Sequence, residues 1–142
     1  MNFDKEFTSA ILIIGNEILS GRTVDKNTSF IAKWLGDLGI GVEEVRVIPD
    51  KEEIIVESVN SLRKKYQYIF TTGGIGPTHD DITSESVAKA FGKKYEYNQE
   101  AYSILEKYYA KSDFNEGRKK MAKMPEGANL IYNEHGSAPA FY

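Results

Sequence analysis

The sequence predicts an α/β domain: a three-layer α/β/α sandwich around a mainly parallel sheet. Three observations predict it. Residues 10–14, "AILII", form a continuous apolar run ended by Gly15, which suits a strand buried on both faces. Strand-like and helix-like segments then alternate along the chain, and right-handed crossovers place such helices on both faces of the sheet. Two glycine-bearing segments, "GNEILSG" and "GGIGPTHDD", directly follow strand-like runs. In open parallel sheets that is where ligands bind.

The elements follow in order. After the first strand, a helix is predicted from about "VDKNTS" to Leu38, with Phe30, Ile31, Trp34, Leu35 and Leu38 on one inward face and Gly39 as its stop. "GVEEVRVIPD" reads as the second strand through Val42, Val45 and Val47, ended by Pro49. "KEEIIVESVNSLRKKY" is a helix with Ile55, Val59 and Leu62 inward, acids first and bases last. "YQYIFTT" is the third strand. "TSESVAKAFG" is a short helix capped by Thr83, with Val87, Ala88 and Phe91 packing and Gly92 ending it. "NQEAYSILEKYYAK" is a further helix with Ala101, Ile104, Leu105, Tyr108 and Tyr109 on one side. "ANLIYN" is a short strand.

The 142 residues suit one domain with a sizeable core. A net charge of −3 gives no electrostatic case for nucleic-acid binding. The absence of cysteine excludes disulfides, thiolate nucleophiles and cysteine-held zinc, and fits a reducing cytoplasm. "MNFDKEFTSA" places charges where a signal peptide needs an apolar run, and the longest apolar stretch is too short to span a membrane.

The chemistry concentrates in "FTTGGIGPTHDD". Gly73, Gly74 and Gly76 allow backbone conformations that turn successive N–H groups toward an anion, and the helix beginning near Thr83 offers its N-terminus to the same region. Thr71, Thr72 and Thr78 add hydroxyl donors. The same glycines would also serve a tight strand-to-helix turn on steric grounds alone. The spacing is neither that of a P-loop nor that of a dinucleotide fingerprint.

Asp80 and Asp81 would repel a phosphate unless a divalent cation lay between, since Mg²⁺ binds one or two carboxylates together with substrate phosphates. Such an ion would also activate water. Alternatively the aspartates only favour a helix N-terminus. Glu17 and Asp50 reach the same rim of the sheet as further metal ligands, or Glu17 as a base; equally, Glu17 caps a turn and Asp50 opens a helix. His79 and His135 read as bystanders. The basic run over residues 107–123 reads as a solvated helix face, or as a grip on phosphate through Arg118 or Lys119.

"GGIGPTHDDIT" resembles the signature loop of the molybdopterin-binding fold shared by MogA, MoaB and gephyrin-type proteins, with Asp81 on that group's aspartate and Ile75 in place of its usual threonine. "GNEILSG", Asn27, "GGIGPTHDDIT", "PEGA" and "NEHGSAPAF" together resemble the CinA N-terminal subfamily from Ala10 to Phe141. Ala140 stands where that subfamily has glycine and Met121 where it has glutamine. Related domains continue past Tyr142, so the chain resembles a shortened form.

The resemblance implies metal-dependent hydrolysis of ADP-ribose, FAD or a similar dinucleotide to AMP and a phosphate ester, with Mg, Mn or Co. The alternatives it implies are molybdopterin binding with adenylyl transfer, or nucleotide binding without turnover. On this expectation Asp80, Asp81 and Glu17 are catalytic, and Asp80, Asp81, Glu17 and Asp50 hold metal. Gly15, Asn16, Asn27, Thr72, Gly73, Gly74, Ile75, Gly76, Pro77, Thr78, Lys119, Gly136, Ser137, Ala138 and Pro139 contact the nucleotide or pterin. It also implies a homo-oligomer, dimer or trimer, in the cytoplasm, with no nucleic-acid or membrane partner.

Overall fold

The apolar run becomes the central strand β1 (Thr8–Ile14), flanked in parallel by β2 (Gly41–Ile48) and β3 (Tyr68–Thr72) in the order β2-β1-β3. Ala10, Ile11, Leu12, Ile13 and Ile14 are all buried, which is why the strand is apolar from Ala10 to its end. In register, Ile13 stands between Val47 and Thr72, so the ends of all three strands share one rim. The computed structural model describes residues 7–142 and shows two compact units, the first ending at Gly73 and the second beginning at Gly74. Among the described residues, no helix is long and apolar enough to cross a membrane.

In the first unit, α1 (Asn16–Leu19) follows β1, α2 (Asn27–Asp37) leads toward β2, and α3 (Glu52–Leu62) leads toward β3. α2 packs on β2 and α3 on β1. The expected inward face of α3 is present, with Ile55, Val59 and Leu62 buried. The expected face of α2 is not: Leu35 is its one buried residue, while Phe30, Trp34 and Leu38 are exposed. Helical spacing reveals an apolar stripe but not whether the rest of the unit covers it.

β2 forms over the expected run, and its two sides differ in exposure. Val45 and Val47 lie on its more exposed side, and Glu44 and Arg46 on the more covered one. There Arg46 Nε donates to Glu44 at 2.9 Å, its Nη1 donates to Ser61 at 2.9 Å, and the Tyr66 hydroxyl donates to Glu44 at 3.0 Å. This network lets charged side chains occupy the covered face of an edge strand at little cost.

The second unit contains α4 (Thr83–Ala90), β4 (Tyr95–Tyr97), α5 (Gln99–Tyr108), α6 (Glu116–Lys120), β5 (Lys123–Pro125), β6 (Leu130–Ile131) and β7 (Ala140–Phe141). β4 pairs antiparallel with β5, and β6 with β7. These strands of two or three residues are too short to show a period, and only β6 was expected. Thr83 opens α4 as a buried helical residue rather than a side-chain cap, and Phe91 is exposed. Asn98 caps α5, its side chain accepting from the Ala101 N–H at 2.9 Å. Ala101, Leu105, Met121, Ala122 and Met124 form this unit's core, whereas Ile104 and Tyr108 face outward. Met121, which stands where the CinA-like subfamily has glutamine, is a core side chain.

Candidate functional site

Gly15 ends β1 in extended backbone and donates its N–H to Ile48 O at 3.0 Å. The next amide, of Asn16, donates to Asp50 Oδ2 at 2.9 Å. Asp50 thus ties the exits of β1 and β2 together and does not cap α3, whose N-cap is Lys51. The Glu17 carboxylate folds back over Gly15: a Cβ there would lie 2.6 Å from Glu17 Oε1. At the start of α2, Asp25 Oδ1 accepts from the N–H groups of Asn27 and Thr28 at 2.9 and 3.1 Å, so Asn27 is held at a helix entrance.

β3 ends at Thr72 and hands over to glycines that no other residue could replace without strain. Gly73 has φ +94° and a Cβ there would meet Ile14 O at 1.9 Å. Gly74 has φ +67° and a Cβ would meet Thr83 Oγ1 at 2.2 Å. The Thr83 N–H also donates to Gly74 O at 3.0 Å, locking the turn to the start of α4.

The loop beyond Gly74 closes on its own carboxylate. Asp81 Oδ2 accepts from the Thr78 N–H at 2.9 Å and the Thr78 hydroxyl at 2.7 Å. The Gly76 N–H bonds the same carboxylate. A Cβ on Gly76 would lie 2.8 Å from Asp81 Oδ2, which explains that glycine. Two groups expected to face a phosphate, on Gly76 and Thr78, are therefore engaged within the loop. Burial pushes the Asp81 carboxyl up, but the Thr78 and Gly76 bonds and the charge of Lys120 outweigh it, leaving the group below its ordinary value.

α6 lies against this loop. Gly117 is there because a Cβ would stand 2.5 Å from Pro77 O. From the same helix Lys120 Nζ donates to Thr78 O at 2.6 Å. Arg118 and Lys119 are the residues the sequence offers for a grip on phosphate, beside the reading of the run as a solvated helix face. Lys119 instead pairs with Glu116 at 2.9 Å, and the Arg118 guanidinium lies 4.4 Å from the Tyr109 ring centre. Three consecutive bases on a helix point in different directions, and the glycine immediately before them is the sign in the sequence of a close approach.

Asp80 differs from Asp81. Its side chain is 76% exposed, with His79 Nε2 at 3.1 Å. Among the described residues, no group of three or more His, Asp or Glu side chains is placed to hold a metal ion. In the segment containing Gly136, Ser137, Ala138 and Pro139, the Tyr109 hydroxyl donates to Ser137 Oγ at 2.7 Å and Asn133 Nδ2 donates to Ala138 O at 3.2 Å. Ala138 packs on the core of the second unit.

A family model described as a probable molybdopterin binding domain matches residues 10–141. A protein of Archaeoglobus fulgidus is 40% identical over 131 residues, covering 92% of this chain and 56% of its own length. The chain spans about half the length of the curated relatives it matches. The crystal structure of the protein CinA, of unknown function, from Thermoplasma acidophilum superimposes with a TM-score of 0.89 at 34% identity, covering 94% of this chain and 79% of that one. The tungsten cofactor synthesizing protein MoaB from Pyrococcus furiosus shares the fold, with a TM-score of 0.57 at 23% identity over 96% of this chain and 79% of that one. From Ala10 to Phe141, the chain belongs to the family of probable molybdopterin binding domains.

Proposed function

We propose that this chain binds molybdopterin, or its adenylylated form, and that its glycine loop receives the ligand's phosphate. The observation that carries the reading is the loop itself: Gly74 in a conformation reserved for glycine, and Asp81 bonded to Thr78 and Gly76. A loop braced in this way holds its backbone before the ligand arrives, which lowers the ordering cost of binding. On this reading the amides of Gly74 and Ile75 meet the phosphate and Lys120 supplies nearby positive charge. Asp81 keeps the loop in shape rather than touching the ligand. A cytoplasmic location and a pterin or nucleotide partner go with the reading.

A second reading is hydrolysis of ADP-ribose or FAD to AMP and a phosphate ester. Asp80 favours it, because its carboxylate is exposed beside the loop while Asp81 is engaged. The residues do not fit a ready-made metal site among themselves. Mg, Mn or Co would therefore have to arrive with the substrate's own phosphates.

One experiment separates these readings. The purified chain is equilibrated with molybdopterin, and retention after gel filtration is measured by pterin fluorescence. In parallel it is incubated with ADP-ribose and with FAD, with each metal and then with chelator, and AMP is measured. Stoichiometric pterin retention, abolished in Gly74→Val, supports the first reading; release of pyrophosphate from ATP on adding molybdopterin extends it to adenylyl transfer. Metal-dependent AMP release that Asp80→Asn abolishes, without pterin retention, overturns it in favour of the second. Nucleotide retention without turnover or pterin binding overturns both.

A further inference from the structure

Lys120 turns from α6 to the glycine loop, while Arg118, two residues earlier, turns to Tyr109 at the end of α5. The Arg118 guanidinium lies 4.4 Å from the Tyr109 ring centre, and its Nη1 donates to Asp113 O. The Tyr109 ring also stacks on Phe114, nearly parallel at 14° and 6.1 Å, and meets the Tyr108 ring edge-on at 4.9 Å. A guanidinium and two rings around one side chain hold it in one orientation.

That orientation serves a single group. The Tyr109 hydroxyl donates to Ser137 Oγ at 2.7 Å. A hydroxyl carries one proton and two lone pairs, so Ser137 gives a lone pair here and keeps its own proton. Among the described residues, no acceptor takes that proton. The chain around Ser137 is braced as well: the His135 N–H donates to Asn133 Oδ1 at 3.1 Å, and Asn133 Nδ2 donates to Ala138 O at 3.2 Å. A half-buried hydroxyl, fixed in place with its proton unspent, is a ready hydrogen-bond donor.

We propose that Tyr109 and Arg118 are positioning residues of the ligand site: they fix the Ser137 hydroxyl so that it donates to a carbonyl oxygen or ring nitrogen of the ligand's heterocycle. This rests on the molybdopterin reading and divides the ligand between two holds, the glycine loop for the phosphate and Ser137 for the ring. A single neutral hydroxyl matches a neutral acceptor, whereas a phosphate draws charged donors and several amides. α6 braces both holds, through Lys120 on Thr78 O at 2.6 Å and through Arg118 on Tyr109. Arg118 thus acts on the ring end and is not a grip on phosphate.

The test is equilibrium dialysis of the purified chain against molybdopterin and, separately, against inorganic phosphate. Wild type binds molybdopterin and Gly74→Val does not, which secures the underlying reading. Tyr109→Phe and Ser137→Ala then each raise the Kd for molybdopterin about three- to tenfold. The double change is no worse than either single one, because Tyr109 acts through Ser137. Ser137→Thr, which keeps a hydroxyl, recovers most of the affinity, and Arg118→Met raises Kd by a smaller factor. Affinity for inorganic phosphate and the circular dichroism spectrum stay unchanged throughout. If Gly74→Val abolishes binding while Tyr109→Phe and Ser137→Ala bind as wild type, the positioning roles fall and the reading stands. Additive losses in the double change, or equal losses toward phosphate, overturn those roles as well. A wild-type chain that binds no molybdopterin overturns the reading and the positioning roles together.

Discussion

Asp81 and Thr78 close the glycine loop on itself, one carboxylate oxygen taking both the Thr78 N–H at 2.9 Å and its hydroxyl at 2.7 Å. A carboxylate beside a phosphate-type loop looks contradictory when only residue types are considered. In the folded chain the carboxylate is the anion around which the loop is wound, and Lys120 adds positive charge from α6.

Asp81→Asn removes a charged acceptor from three donors. The group is largely solvent-screened, so the expected loss is modest, about 1 kcal/mol in urea denaturation at pH 7. The folded-state pKa lies below the ordinary 3.8, so the contribution is complete above 3.8 and disappears as pH falls through the folded value. Wild type minus Asp81→Asn should therefore shrink as the pH is lowered below the ordinary carboxylate value, and a difference that grows on acidification would contradict the assignment.

Gly73→Ala and Gly92→Ala separate two costs of replacing glycine. Both positions have positive φ, but only at Gly73 does a Cβ strike backbone, at 1.9 Å from Ile14 O. Gly92→Ala should cost about 1 kcal/mol from the left-handed conformation alone. Gly73→Ala should cost well over about 2 kcal/mol and lower the urea midpoint accordingly. Equal losses would show that the close approach is not real.

Lys119 and Lys120 are adjacent and of one type, yet they should behave differently. Lys120→Met removes the bond to Thr78 O and should weaken pterin retention several-fold. Lys119→Met breaks the pair with the exposed Glu116 carboxylate and the contact of the ammonium with the Phe114 ring, and should change stability by less than about 1 kcal/mol and retention not at all. Equilibrium binding of the two variants side by side is the check.

Ile11→Ala opens a cavity in the central strand, where the side chain is fully buried. The expected loss is about 2–5 kcal/mol by urea denaturation. Val47→Ala, on the more exposed side of β2, should cost under about 1 kcal/mol, and a reversal of that order would contradict the register of the sheet.

Much of the fold could be read from residue order. A strand buried on both faces favours a continuous apolar run, so residues 10–14 locate the centre of the sheet. The spacing of Ile55, Val59 and Leu62 likewise located the inner face of α3. The glycines after β3 signalled special backbone because no other residue takes such torsions cheaply. These features depend on neighbours in the chain or on one face of one element, and local chemistry is enough to determine them. Other features depend on contacts between distant residues. Asp50 reaches the Asn16 amide, Lys120 rather than Lys119 reaches Thr78, and Leu35 is buried while Phe30 and Trp34 are not. Periodicity cannot say how far neighbouring elements extend, nor which of several like charges arrives within bonding distance. Packing settles both, because a hydrogen bond or a covered side chain requires its partner to be brought there by the rest of the fold.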